Sequence, residues 1–374
     1  HRVDRRQRQM CIRDRSFLLF GCSDFYEPAV VSARKEATQI GLEIMKNGGN
    51  AYDAMIATHL ALAVVHPTAG NIGGGGFFVY HNKDGSCGSL DFREMAPQKA
   101  FKDMYLDKNG DVITDMSTLG GAAVGVPGSI SAIYKIHSKF GSLPIEDLFE
   151  PAINLAKNGF VVTQKQSNSL TGKLEDFIKV NGEESLYSKR YYEGDTIKNI
   201  KFAETLSKIS KFGPEIFYGG EIGEMIVNSV KKAGGIMTLK DLENYKSIWR
   251  EPVKFKYKNL DIISMSLPSS GGILIGQMLK VIEDYDIKSF GHNSVKAVQL
   301  LVEAERRAYA DRSHFMGDPD YMDLPVYELM DKEYVVDRMK NFSWDKATSS
   351  SDVKHGNIIL NESDETTHYS IIDK

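Results

Sequence analysis

Nowhere in its 374 residues does the chain carry a run of eighteen or more apolar side chains, so no helical membrane span is expected. Cysteine is scarce: Cys11, Cys22 and Cys87 are widely spaced and match no metal-ligand pattern. Cys87, in a Gly-Ser-Cys-Gly turn, has no histidine-rich neighbourhood and reads as a small inert residue rather than a nucleophile. There is no His-Glu-x-x-His element; His59, His66, His81 and His314 are scattered. The acidic Gly317-Asp318-Pro319-Asp320 lacks calcium-loop spacing and reads as a turn. Neither a metal nor any other cofactor is expected. The glycine run Gly73 to Gly76 is not followed by Gly-Lys-Ser/Thr, and it enters a strand instead of leaving one for a helix. That order excludes a phosphate loop and a dinucleotide fingerprint, and it leaves close backbone packing near a site as the role of these glycines. No Gly-x-Ser-x-Gly surrounds Ser269 or Ser270, which read as a helix N-cap near a bound ligand. With a net charge of -4 and no basic stripe interleaved with aromatics, nucleic acid is excluded as a partner.

What is present is an ordinary globular balance, 42% apolar and 26% charged, long enough for one large domain or two ordinary ones. His1 to Arg15 is dense in arginine without apolar periodicity: a basic tail, or sequence foreign to the mature protein. Leu19-Phe20-Gly21-Cys22 resembles a bacterial lipobox, although its apolar run is shorter than the roughly 7–15 residues of a signal core. Read as a damaged lipoprotein signal, it implies export to the periplasm or cell surface and a lipid anchor at Cys22. Beyond it the spacing predicts a helix over Ala33 to Met45, stopped by Asn47-Gly48-Gly49. A second helix, Ala51 to Val65, is apolar nearly all round, closed by Pro67, and expected to be buried. Its expected partner is the sheet begun by Gly76 to Tyr80 and Gly88 to Phe92, strands joined by a short turn. Helices follow over Ala122 to Ile136, Leu148 to Asn158, Asn199 to Phe212, Ile222 to Ala233, Leu239 to Tyr245 (Thr238 as N-cap), Ile273 to Ile282 and Val295 to Ser313. Phe255 to Tyr257 and Leu260 to Met265 read as strands around a Lys258-Asn259 turn. Charges between Glu303 and Arg312, three and four residues apart, are expected to pair on a solvated helix face.

The chemistry sits near the end. A polar run, Asn361 to Glu365, meets the β-branched and aromatic segment Thr366 to Ile372, an exposed loop leading into a strand. By itself this is common strand grammar. A cut between Glu365 and Thr366, however, would give Thr366 a hydroxyl and a free α-amine, whose ordinary pKa of about 7.7–8.0 suits it to act as the base the hydroxyl needs. Four stretches then occur in order: Asn71-Ile72-Gly73-Gly74-Gly75-Gly76-Phe77, Leu90-Asp91-Phe92-Arg93-Glu94-Met95-Ala96-Pro97, Pro268-Ser269-Ser270-Gly271-Gly272 and Thr366-Thr367-His368-Tyr369-Ser370. Together they resemble the γ-glutamyltransferases (γ-glutamyl transpeptidases), from about Ala29 to the end of the chain.

That resemblance implies an α+β fold, the αββα sandwich of N-terminal-nucleophile hydrolases, made as one precursor. It divides the chain into a tail over 1–28, a large-subunit region over 29–365 and the start of a small subunit over 366–374. Thr366 would attack the carbonyl of Glu365, and hydrolysis of the resulting ester would free it. The mature Thr366 would then attack the γ-glutamyl amide of glutathione or a related donor, and water, an amino acid or a peptide would resolve the γ-glutamyl-enzyme. Arg93 on its own reads as a surface charge paired with Asp91 or Glu94; the resemblance gives its planar fork the donor's α-carboxylate. Glu94 would orient the arginine. The small subunit of the same precursor is the implied partner, supplying the oxyanion donors and a second threonine. Because the chain stops at Lys374, inactivity of this chain by itself is expected. Two other readings stand beside this one: an amidase of the same fold acting on glutaryl or cephalosporin acyl groups, and a non-catalytic, exported, lipid-anchored binding protein.

Overall fold

The computed structural model describes residues 28–358. The basic tail, the Cys22 motif and the segment around Thr366 lie outside the described residues. The rest divides into two units: residues 28–71, 136–169 and 191–211 form one, and residues 72–135, 170–190 and 212–358 the other.

In the first unit the organising element is the helix Ala51–Val65. Asn50 caps it, its side chain accepting from the Tyr52 and Asp53 N–H groups while the Asp53 carboxylate accepts the Asn50 N–H at 3.0 Å. Most of its side chains are buried, as its unbroken apolar surface requires. Within this unit the helix packs on two other helices, Lys35–Lys46 and Ile145–Asn158. A Cβ added at Gly41 would overlap Thr58 Oγ1, so Lys35–Lys46 and Ala51–Val65 approach at a distance only glycine permits. Asp53 also accepts the Ser142 N–H at 3.1 Å, which ties the loop before Ile145–Asn158 to the cap. The short strands Phe160–Val161 and Thr196–Ile197 pair antiparallel.

The second unit is α+β in the expected sense. Strands Phe77–His81 and Cys87–Asp91 form the hairpin read from the sequence, with Phe77 opposite Asp91 and His81 opposite Cys87. Cys87 is thus the first residue of a strand and not a turn residue. A third strand, Ile248–Arg250, adds to the free side of Cys87–Asp91, with Ser89 opposite Arg250. It had no sequence signal, being three residues long. The hairpin Val253–Tyr257 and Leu260–Ser264 turns at Lys258, where φ is 54°.

Helix boundaries depart from the spacing where proline intervenes. Val126 precedes Pro127, is held extended and bridges Met95, so the helix begins only at Ser129 and runs to Phe140. Gln164–Gly172, Leu174–Asn181 and Lys332–Arg338 are helices of nine, eight and seven residues, too short for periodicity to single them out. Leu239–Asn244 has the expected Thr238 cap, completed by Asp241. The long helix Val295–Phe315 corrects one expectation. Its charges do pair, but inward: Glu303 is 1% exposed, Arg307 5% and Asp311 0%. Arg307 meets Glu303 at 2.6 Å, and Arg338 meets Asp311 at 3.1 Å. Periodicity could not reveal this, because the spacing that pairs charges on a wet face also pairs them against a neighbouring helix.

Candidate active site

The second unit holds a cleft of about 430 Å³, within the range of small-molecule sites, built from four segments far apart in the chain. The end of strand Cys87–Asp91 contributes Asp91, Arg93 and Glu94. Tyr245 and Lys246 precede the third strand and Arg250 ends it, Pro268 and Ser270 precede the helix Gly271–Ile282, Arg312 lies in the last turn of the long helix, and Asp318 and Asp320 follow that helix.

Arg93 lies in this cleft and is exposed. Its guanidinium stands 5.9 Å over the Phe77 ring and makes no ion pair with any described residue. The expected local pairing with Asp91 is replaced by a backbone contact: Asp91 Oδ1 accepts the Arg93 N–H at 3.1 Å. The other oxygen, Oδ2, takes the Arg250 Nε at 2.8 Å. Arg250 in turn clasps both oxygens of Asp320, at 2.9 and 2.8 Å. The hydrogen bonds from Arg250 hold the Asp320 carboxyl below its ordinary value, and those same bonds raise the pKa of Arg250.

The Arg93 backbone is fixed on its other side. Tyr245 donates its hydroxyl to the Arg93 carbonyl at 2.9 Å, and its ring stacks on Tyr218 with centroids 5.8 Å apart. Burial, then the neighbouring Tyr218, Asp91 and Glu94, push the Tyr245 hydroxyl well above the ordinary tyrosine range, so it stays a proton donor. Tyr218 likewise donates its hydroxyl to a main-chain carbonyl, Pro127 O, at 2.9 Å. Glycine makes this possible. A Cβ at Gly75 would overlap Phe92 O and lie 2.8 Å from Glu94 N, and one at Gly128 would overlap both Phe92 O and the Tyr245 hydroxyl. Within the Gly73 to Gly76 run it is Gly75 that allows this close backbone packing along the cleft.

Glu94 lines the cleft and is exposed, without a contact to the Arg93 guanidinium. Ser270 occupies the N-cap position of Gly271–Ile282, but its side chain caps nothing; Oγ accepts the Arg312 Nε at 3.0 Å. Thr366 lies outside the described residues. Sequence reasoning missed Tyr245, Arg250 and Arg312. Their partners are 152, 159 and 42 residues away, and nothing local marks them.

A family model described as Gamma-glutamyltranspeptidase matches residues 37–374. Among curated relatives, the glutathione hydrolase proenzyme of Escherichia coli (strain K12) is 40% identical over 357 residues, covering 92% of this chain and 60% of that one. The acylase ACY 1 proenzyme of Pseudomonas sp. (strain V22) is 35% identical over 353 residues, covering 92% and 62%. The crystal structure of Helicobacter pylori gamma-glutamyltranspeptidase superposes with a TM-score of 0.87 at 41% identity, covering 90% of this chain and 98% of that one. The chain thus spans about 60% of the length of the glutathione hydrolase relative it matches.

Proposed function

This chain belongs to the gamma-glutamyltranspeptidase family, and from that membership we propose that it is the large-subunit region, with the first residues of the small subunit, of an enzyme that hydrolyses and transfers γ-glutamyl groups. The observation that carries the reading is the unpaired Arg93 fork, held in a cleft by its backbone and available to a carboxylate. The precursor cuts itself between Glu365 and Thr366. Thr366, now a chain end, uses its own amine to activate its hydroxyl and attacks the γ-carbonyl of glutathione or a similar donor. Arg93 holds the donor's α-carboxylate during that attack. The covalent γ-glutamyl-Thr366 is then opened by water, an amino acid or a peptide, which gives ping-pong kinetics. Donors for the developing oxyanion come from the small subunit of the same precursor, each worth about 3–4 kcal/mol. The layout is 1–28 tail, 29–365 large subunit and 366–374 small-subunit start, with Cys22 as lipid anchor of a periplasmic or cell-surface protein. No described helix is long and apolar enough to cross a membrane.

The test uses the gene extended through the small subunit. N-terminal sequencing is expected to find a new terminus at Thr366, and Thr366→Ala is expected to leave one uncut chain. Arg93→Ala should lower kcat/KM on γ-glutamyl donors about a hundredfold, as removal of one partner of a charged pair does. The relative named as an acylase supports a second reading, an amidase of the same fold. An Arg93→Ala variant with undiminished turnover would favour it over the transferase.

A further inference from the structure

Four cations line the cleft, and they are not equivalent. Arg250 is spent on Asp91 and Asp320, and Arg93 is assigned above to the donor's α-carboxylate. Lys246 and Arg312 are left, both exposed and neither paired with a described acid. They differ in order. The Lys246 ammonium has no described hydrogen bond, so its flexible stem is not aimed. Arg312 is aimed: its Nε donates to Ser270 Oγ at 3.0 Å, and its guanidinium lies 6.0 Å from the Tyr309 ring. With Nε so used, the two terminal nitrogens remain as a planar pair of donors for an anion.

A second feature points the same way. Ser270 stands at the N-cap of the twelve-residue helix Gly271–Ile282 yet spends its hydroxyl on Arg312, leaving the helix uncapped. The N–H groups of Gly271, Gly272 and Ile273 donate to no acceptor among the described residues. An uncapped helix start carries a partial positive charge, so the field at Ser270 adds to that of Arg312.

We propose that Arg312 and the start of helix Gly271–Ile282 form a second carboxylate subsite in the cleft, for the carboxylate of the peptide that leaves the γ-glutamyl group or accepts it. The subsite rests on the γ-glutamyl-transfer reading above. Arg93 and Arg312 then divide the substrate, one arginine to the γ-glutamyl part and the other to the peptide part. A donor with a carboxylate in its leaving group is favoured over the same donor without one.

The full-length enzyme, joined to its small subunit, tests this with two chromogenic donors that differ by one carboxylate: γ-glutamyl-4-nitroanilide and its 3-carboxy counterpart. In Arg312→Ala the ratio of kcat/KM, carboxylated over plain, should fall about tenfold, the effect of losing one charge-assisted bidentate contact. Arg312→Lys should restore part of the ratio, since charge returns without the fork. A parallel arm compares glycylglycine with glycylglycinamide as acceptors; a lost preference there alone assigns the subsite to the acceptor. If both preferences are unchanged in Arg312→Ala, or if Lys246→Ala removes them instead, the subsite is overturned. A wild-type enzyme that turns over neither donor overturns the γ-glutamyl reading itself, and the subsite with it.

Discussion

Gly75→Ala is the most direct probe of how the cleft is built. The added methyl would overlap Phe92 O and stand 2.8 Å from Glu94 N and 2.9 Å from Arg93 C, all of them backbone atoms. Ordinary contact begins near 3.4 Å, so the strand end carrying Arg93 must move by about 0.6 Å to clear Glu94 N, and further to clear Phe92 O. No flexible side chain can absorb this. The segment is held between Asp91, which accepts the Arg93 N–H, and Tyr245, which donates to its carbonyl. Overpacking of this kind costs about 1–3 kcal/mol of stability. A displacement approaching 1 Å in a positioning group costs about a hundredfold in rate. The expected result is therefore a folded protein with a modestly lower Tm and a loss of kcat/KM on γ-glutamyl donors approaching that of Arg93→Ala. Combining the two substitutions should add little, because both remove the same grip. A Gly75→Ala enzyme with wild-type kcat/KM would refute the idea that this glycine sets the position of Arg93.

Tyr245→Phe removes the donor to the Arg93 carbonyl while keeping the ring stacked on Tyr218; KM for γ-glutamyl donors should rise several-fold, as expected for about 1 kcal/mol, with a smaller change in kcat, read from steady-state kinetics. Asp311→Ala strands Arg338 and the Gly356 N–H in a buried setting and should cost about 3 kcal/mol or more, measured as a shift in the urea midpoint. His59 has its pKa lowered to about 4 by burial, against an ordinary 6.5. Its contribution to stability is complete above pH 6.5 and is lost as the pH falls from there through about 4, because the unfolded chain takes up the proton first. The full shift is worth about 2 kcal/mol at pH 5, and with part of the residue still exposed we expect about half of that. His59→Gln should flatten this part of the stability profile; an unchanged slope between pH 7 and 5 would refute the assignment.

Much of this arrangement was legible in the chain. Helix Ala51–Val65, the first hairpin, the Thr238 cap and the Lys258 turn follow from local grammar: apolar runs, capping residues and turn residues act within a few positions of themselves. Arg93 was legible as a candidate because the residues around it form a recognisable run. The cleft was not. Asp91 carries no mark saying that it will meet Arg250 in preference to its neighbour Arg93, since that choice is made by the three-residue strand Ile248–Arg250 joining the sheet. Nor does the spacing of Glu303, Arg307 and Asp311 say whether their face meets water or another helix. Periodicity fixes which residues share a face, and only the tertiary neighbours decide what that face touches.

The contrast between Arg93 and Arg250 shows how an arginine can be positioned without its guanidinium being consumed. Arg250 is aligned through its fork, with three hydrogen bonds to two carboxylates. Such a residue is rigid, and it has little left to offer a ligand. Arg93 is aligned through its main chain. Its N–H goes to Asp91, its carbonyl takes the Tyr245 hydroxyl, and Gly75 and Gly128 let the neighbouring backbone close against the preceding residue. The guanidinium itself stays solvated over Phe77, which spares the cost of burying an unpaired charge before a ligand arrives. A carboxylate entering the cleft then displaces water from a fork whose root is already fixed, so less of the binding energy goes into ordering the protein. Fixing Arg93 instead by an ion pair to Glu94 would give equal rigidity but, on the proposed reading, would place an acid where the donor's own carboxylate goes; Glu94 lines the same cleft without an ion pair to the guanidinium.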